Sequence, residues 1–345
     1  MSRLSIFSFN TLQPWKTFPF GLLTCLLILI GVEVVVARSD WIVDRFSVSS
    51  LGIMSALEDE VIRKASPEII CFGNSRLRDG LSPRILEQQL GMPKGSVLNL
   101  ALTAGKPYDS LVMYRRNREI FRHAKIMIID FEYHYFGRAP EFTSRVGRHA
   151  TFEDRVRLFE GREQLMPALI GGIWHTFGIR DYLRALMMES SEADTLVIAD
   201  DGRIVWRDAE TDEQINIKSN IKQHASKYET DQLDSGHAQE LQRLIAMAQQ
   251  DGIVILLLHV PVRGEFARYL KETYPKKYEQ LHRKFTKYDF DVDLILDPER
   301  GDDVGILDQS YFDYGHMTDD GSKQLSEWIA PHLKRLLEKQ SEKKP

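Results

Sequence analysis

A serine stands at position 75 in CFGNSRLRDGLSP (71–83), between a short apolar run and a turn rich in Arg, Asp and Gly. Far along the chain, Asp313 and His316 stand three positions apart in YFDYGHMTDDG (311–321). A serine hydroxyl is a poor nucleophile until a base takes its proton. In a loop or a first helical turn, the Asp313 carboxylate can reach one ring nitrogen of His316 and leave the other for Ser75, holding the tautomer and steadying the imidazolium. That is the apparatus for acyl transfer through a serine ester. Taken singly the residues say less: Ser75 could cap the next helix, Asp313 could be a turn residue and His316 a surface histidine.

Three residues so far apart need a scaffold that brings them together, and the pattern predicts one. Glu68 to Phe72 is a short apolar strand ending at Gly73, and LSPRILEQQLG from Leu81 is a helix with Pro83 in its first turn and Gly91 at its end. SVLNLAL follows as a strand, DSLVMYRRNREIFRHA as a helix and KIMIIDFEY as a strand. Later come the helix HAQELQRLIAMAQQDG, the strand IVILLLHV, a Pro-interrupted helix from Glu265, the strand DVDLILD and a last helix after Thr318. Continuous apolar strands separated by helices predict a parallel sheet covered on both faces, hence an α/β fold of three layers. Ser75, just past a strand's carboxyl end, then sits where such sheets bind ligands. Residues 137–234 break the rhythm and read as an insertion, with a capping box at Thr151 and a hairpin turn at Asp201-Gly202. The insertion is where substrate or partner specificity is expected.

The segment 18–37, FPFGLLTCLLILIGVEVVVA, is apolar apart from Glu33 and close to the ~20 residues a spanning helix needs. Arg3 and Lys16 precede it without an acidic residue, which predicts a cytoplasmic tail (1–17), a transmembrane anchor (18–37), and everything beyond outside the cytoplasm. The alternative is a cleaved signal peptide with Val35 and Ala37 before the cut. Thr24 and the apolar residues after Cys25 suit a lipidation site poorly. Glu33, near the outer end, is expected to reach lipid headgroups. Residues 38–65 then read as a connector, 66–335 as the α/β domain with its insertion, and 336–345 as a polar tail.

The chain has 345 residues, 43% of them hydrophobic and 28% charged, enough for a substantial core. The net charge of −5 is spread without a basic block, so nucleic acid is not an expected partner. The two cysteines, Cys25 and Cys71, fall in the apolar segment and in a core strand and are not expected to pair. There is no Cys-x-x-Cys, His-Glu-x-x-His or P-loop pattern.

With these residues in place, the chain resembles the SGNH (GDSL-type) hydrolases. FGNS after the first strand resembles the nucleophile block of that superfamily and DYGH its closing Asp-x-x-His block. FGNSRLRDGLSPRILEQQLG followed by VLNLALTAG resembles its membrane-anchored, extracytoplasmic branch, which includes proteins working beside membrane-bound O-acyltransferases in cell-envelope polymer acylation. The resemblance covers roughly residues 66–136 and 250–335. It implies a flavodoxin-like sheet, with Ser75 as nucleophile, His316 as base and Asp313 as its orienting acid. The oxyanion hole would be made by the backbone N–H groups of Ser75 and Gly105. It also implies a cofactor-free esterase or acyl, most simply acetyl, transferase in the periplasm, acting on an envelope polysaccharide and partnered by a membrane-bound O-acyltransferase. The chain departs from the superfamily after the third strand, where IIDFEYHYFG replaces a Gly-x-Asn-Asp donor block. That departure supports the alternative of a non-catalytic scaffold or binding subunit.

Other polar residues carry two readings each. Arg76, Arg78, Asn99 and Glu132 are candidates for substrate binding, yet Arg76 and Arg78 fit salt bridges in a turn equally well. Gly105 could serve only a tight turn. Asp130, Glu132 and His134 alternate on a strand end and fit a polar structural cluster, and His259 fits a satisfied buried histidine.

Overall fold

The computed structural model describes residues 14–37, 52–180, 183–184, 196–206, 216–229 and 234–342. The expectations for most of the amino-terminal tail, for residues 38–51 of the connector and for the last three residues lie outside them.

Five strands form one parallel sheet: β1 (Ile69–Phe72), β2 (Val97–Asn99), β3 (Ile126–Asp130), β6 (Val254–Leu258) and β7 (Leu294–Leu296), in the order β2-β1-β3-β6-β7. β4 (Leu196–Ile198) and β5 (Ile204–Trp206) make a separate antiparallel hairpin around Gly202, whose φ of 84° suits the expected turn.

Successive side chains alternate between two cores. Ile70, Phe72, Leu98, Met127, Ile129, Ile255 and Leu257 face one, whereas Ile69, Cys71, Val97, Ile126, Ile128, Leu256 and Leu258 face the other. The first core is closed by the helices Gly52–Glu60, Pro107–Arg116 and Gly236–Gln250, through Leu57, Val112 and Leu241. The second is closed by the helices Pro83–Leu90 and Asp319–Glu342, through Leu86, Leu325, Ile329 and Leu333. Each such fully buried side chain contributes about 1.5–3 kcal/mol. The fold is a three-layer α/β sandwich, as the strand pattern predicts.

Two segments have more structure than the sequence suggested. Residues 52–62, expected to connect, bury Ile53, Met54, Leu57 and Ile62 in the first core, and Glu58 in their helix holds Arg116 in a bidentate pair. The expected polar tail continues the last helix as far as Glu342.

The segment read as a membrane anchor is helical over Pro14–Val32 and loosens into a π-helical turn at Glu33–Ala37. Its leucines and isoleucines are exposed, Leu22 at 61% and Ile28 at 60%. Among the described residues no helix is long and apolar enough to cross a membrane, so the expected span is not established by the fold. Glu33 does not face outward as expected. Its carboxylate accepts from the His175 and Thr176 backbone N–H groups (2.7 and 3.0 Å) and from the Thr176 hydroxyl (2.8 Å). The two cysteines are unpaired, Cys25 exposed and Cys71 fully buried, with burial pushing the Cys71 thiol far up.

Candidate active site

The chain runs outward from β1 to edge strand β2 and then back across β1 to β3, so the sheet order reverses at β1 and a crevice opens past the carboxyl ends of β1 and β3. Gly73, the first residue past β1, has to be glycine: a Cβ there would stand 2.5 Å from the Cβ of Asp130 at the end of β3.

A short helix, Ser75–Gly80, begins in this crevice. Its N-cap is Asn74, extended at φ −101° and ψ −169°, with Oδ1 accepting from Arg76 N–H at 2.8 Å. The capping role open to Ser75 thus falls to its neighbour, and the Ser75 hydroxyl is left for other partners. Asn99 secures the other end of the helix. Fully buried, it donates to the carbonyls of Leu77, Arg78 and Leu81 (3.1, 3.3 and 3.0 Å) and accepts from Ala101 N–H at 3.2 Å. Those bonds give Asn99 a structural task, since free helix carbonyls in a dry interior need a donor.

Ser75 Oγ lies 2.7 Å from His316 Nε2, and His316 Nδ1 lies 2.7 Å from Asp313 Oδ2. The Asp313 loop is self-bracing, because the other carboxylate oxygen accepts from the Gly315 and His316 N–H groups at 2.8 and 2.7 Å. Burial works against the Asp313 charge, but the His316 ring and those two N–H groups outweigh it and hold the carboxyl below its usual range. An ionised carboxylate at Nδ1 requires the proton there, so Nε2 offers its lone pair to the Ser75 hydroxyl. Three residues from two ends of the chain are joined in the relay their spacing predicts.

Compared with protein-family models and with curated proteins, the sequence matches none.

The surrounding residues explain how the relay is held. Arg76 and Glu132 form a buried ion pair, and Glu132 also bonds the Asn74 amide and the His134 ring. Burial disfavours the Glu132 carboxylate, but Arg76 and then His134 keep it below its ordinary range. Asp130, close by, is pushed the other way, first by burial and then by the charge of Glu132. Arg78 is buried against Asp79 (2.6 and 2.8 Å) and Thr103 Oγ1 (2.7 Å). Arg76 and Arg78, candidates for substrate binding, therefore have carboxylate partners within the protein. His259 is satisfied by Asp297 at 3.0 Å.

Gly105 lies where close approach demands a glycine: a Cβ on it would overlap the carbonyl oxygen of Gly73. Its N–H donates to Leu102 O at 3.0 Å. Of the two expected oxyanion donors, Gly105 is thus engaged in its own turn. Ser75, as the first residue of its helix, has an N–H to which helix geometry gives no intrahelical acceptor.

Sequence reasoning missed the support that the insertion lends the histidine loop. Asn220 Oδ1 accepts from Tyr314 N–H at 3.2 Å, and the His224 ring stacks on Tyr314 with centroids 3.9 Å apart. Both lie on the helix Ile217–Ser226. Phe312 stacks on the His316 ring itself, with centroids 5.5 Å apart. A polar residue one turn before a histidine on a short amphipathic helix was the only signal, and it does not name its partner.

Proposed function

We propose that this protein is a membrane-anchored, extracytoplasmic enzyme of SGNH type that moves an acyl group, most simply acetyl, through a Ser75 ester. The observation that carries the reading is the unbroken relay Ser75 Oγ to His316 Nε2 and His316 Nδ1 to Asp313. Ser75 attacks the acyl carbonyl carbon while His316 takes the hydroxyl proton. The Ser75 N–H faces the developing oxyanion, and His316 returns the proton to the departing oxygen. His316 then activates the second acceptor, a polysaccharide hydroxyl for transfer or water for hydrolysis. The exposed apolar helix at 20–35 supports an anchor at the cytoplasmic membrane, with the amino terminus inside and the α/β domain in the periplasm. A membrane-bound O-acyltransferase as partner and an envelope polysaccharide as substrate complete the proposal.

A fluorophosphonate probe tests it. The wild-type protein should label, and Ser75→Ala and His316→Ala should not. Folded wild-type protein that stays unlabelled would sink the enzymatic reading. Two observations favour a second reading, a non-catalytic SGNH-like scaffold beside an acyltransferase: Gly105 N–H is already engaged, and Glu132 stands in the region where the superfamily has its asparagine donor. Under that reading Ser75→Ala leaves envelope acylation unchanged.

A further inference from the structure

The helix Leu165–Ile173 of the insertion is almost wholly apolar, LMPALIGGI, yet only part of it is covered. Ala168 and Gly171 pack inward, whereas Met166, Ile170, Ile173 and the following Trp174 are 62%, 42%, 79% and 42% exposed. Four large apolar side chains within nine positions form a ridge, which an aqueous surface would not favour.

What lies beside the ridge is given by Glu33. Its carboxylate receives both backbone N–H groups at the start of the next turn, His175–Gly178, and this turn packs on the π-helical segment Glu33–Ala37. The ridge therefore adjoins the carboxyl end of the apolar helix Pro14–Val32, whose side chains are exposed from Phe20 to Val32. The contact is anchored to the body of the protein. A Cβ on Gly147 would overlap the Gly178 carbonyl oxygen, so the helix Ser144–His149 meets the turn backbone to backbone. Fully buried Arg155 donates to the carbonyls of Gly147, Ala150 and Ala168 at 2.8, 3.1 and 3.0 Å, joining three helices of the insertion. Arg145 then reaches Asp109 and the Thr103 carbonyl at 2.9 and 2.8 Å, two residues from Gly105.

From this we infer that Met166, Ile170, Ile173 and Trp174 form a second membrane contact, seating the insertion in the lipid interface beside the apolar amino-terminal helix. The occupant is the bilayer, because the ridge continues an apolar surface that starts on that helix. Indole rings favour the boundary between hydrocarbon and headgroups, where Trp174 would lie. Glu33, bonded within the protein, avoids the cost of an unpaired carboxylate at that depth. The Ser75 site would in this way be held at one height over the membrane by two attachments rather than by a swinging tether. The inference rests on the anchor reading above.

The test uses the full chain in liposomes of zwitterionic lipid carrying a nitroxide quencher on the acyl chain. A thiol-reactive fluorophore is placed on native Cys25, on Ile173→Cys, or on exposed Glu338→Cys, the last two in a Cys25→Ser background. Cys71 is fully buried and stays unmodified. The labels at 25 and 173 should lose emission to the quencher, and the label at 338 should not. Quenching at 25 without quenching at 173 overturns the second contact and leaves the anchor standing. If quenching fails at 25 as well, the anchor reading falls and this inference with it. Cross-linking of Ile173→Cys between copies in place of quenching overturns it too, in favour of a second chain as the cover.

Discussion

Arg76 and Glu132 lie 56 positions apart in the sequence and meet as a buried ion pair one residue beyond the candidate nucleophile. Because Glu132 also holds the Asn74 amide, one carboxylate ties both neighbours of Ser75 to the segment after β3. Removing one member of a buried pair ordinarily costs about 3–5 kcal/mol. Asp130 changes that expectation. Part of what keeps its carboxyl protonated is the charge of Glu132, and Arg76 favours its ionised form. Glu132→Gln should let Asp130 ionise and take over Arg76, so that the loss stays below that range. Glu132→Gln with Asp130→Asn should cost more than the two single changes added. Urea unfolding of the four proteins gives the coupling energy, and strict additivity would show that the two carboxylates do not share Arg76.

Asp130 also sets a pH dependence. Its carboxyl is raised in the fold, first by burial and then by Glu132. Above the ordinary aspartate range the unfolded chain has released this proton while the folded chain still holds it. Stability from this group is full at or below the ordinary aspartate value and falls as pH rises toward the raised one. Asp130→Asn removes that slope. Relative to wild type it should therefore gain stability as pH rises from about 4 to about 8, read from denaturant midpoints, and a constant difference would contradict the assignment.

Asp313→Asn should leave the fold intact and lower ester hydrolysis by about ten-thousand-fold, because an amide at that place can favour the wrong His316 tautomer. Ser75→Ala should abolish turnover with an unchanged melting temperature. A variant at Ser75 that melts well below wild type would point to a structural hydroxyl instead.

Gly105→Ala tests the close approach of two backbones. Its added methyl group overlaps the Gly73 carbonyl oxygen, and overpacking of this kind costs about 1–3 kcal/mol. The melting temperature should drop. Asn74→Ala should cost about 1 kcal/mol for the lost cap, and it should also slow turnover, since the helix start positions Ser75. Normal turnover in Asn74→Ala would mean that the helix start does not set the position of the hydroxyl.

How far the sequence could be read depends on the range of the interaction. β1, β3 and β6 were visible because strands buried on both faces are apolar throughout, as in Ile69–Phe72 and Val254–Leu258. The helices Pro83–Leu90 and Phe152–Phe159 were visible through local chemistry, a proline in the first turn and a capping box at Thr151. The relay was visible because Asp313 and His316 are close in sequence and Ser75 follows a strand. Pairings between distant segments were not legible. Nothing near Arg76 names Glu132, nothing near Glu33 names Thr176, and Asn99 was indistinguishable from a residue facing substrate. The helix Gly52–Glu60 was missed because charges at Glu58, Asp59 and Glu60 mask Ile53, Met54 and Leu57.

The hold of Asn220 and His224 on Tyr314 bears on how such a protein could be re-engineered. The stretch that reads from sequence as an insertion for substrate or partner specificity, 137–234, also carries the side chains that brace the histidine loop. Exchanging it wholesale would also disturb the loop that carries His316. A chimaera would therefore have to keep the helix Ile217–Ser226, and with it Leu158, Phe159 and Ala168, which the helices before the β4–β5 hairpin contribute to the first core.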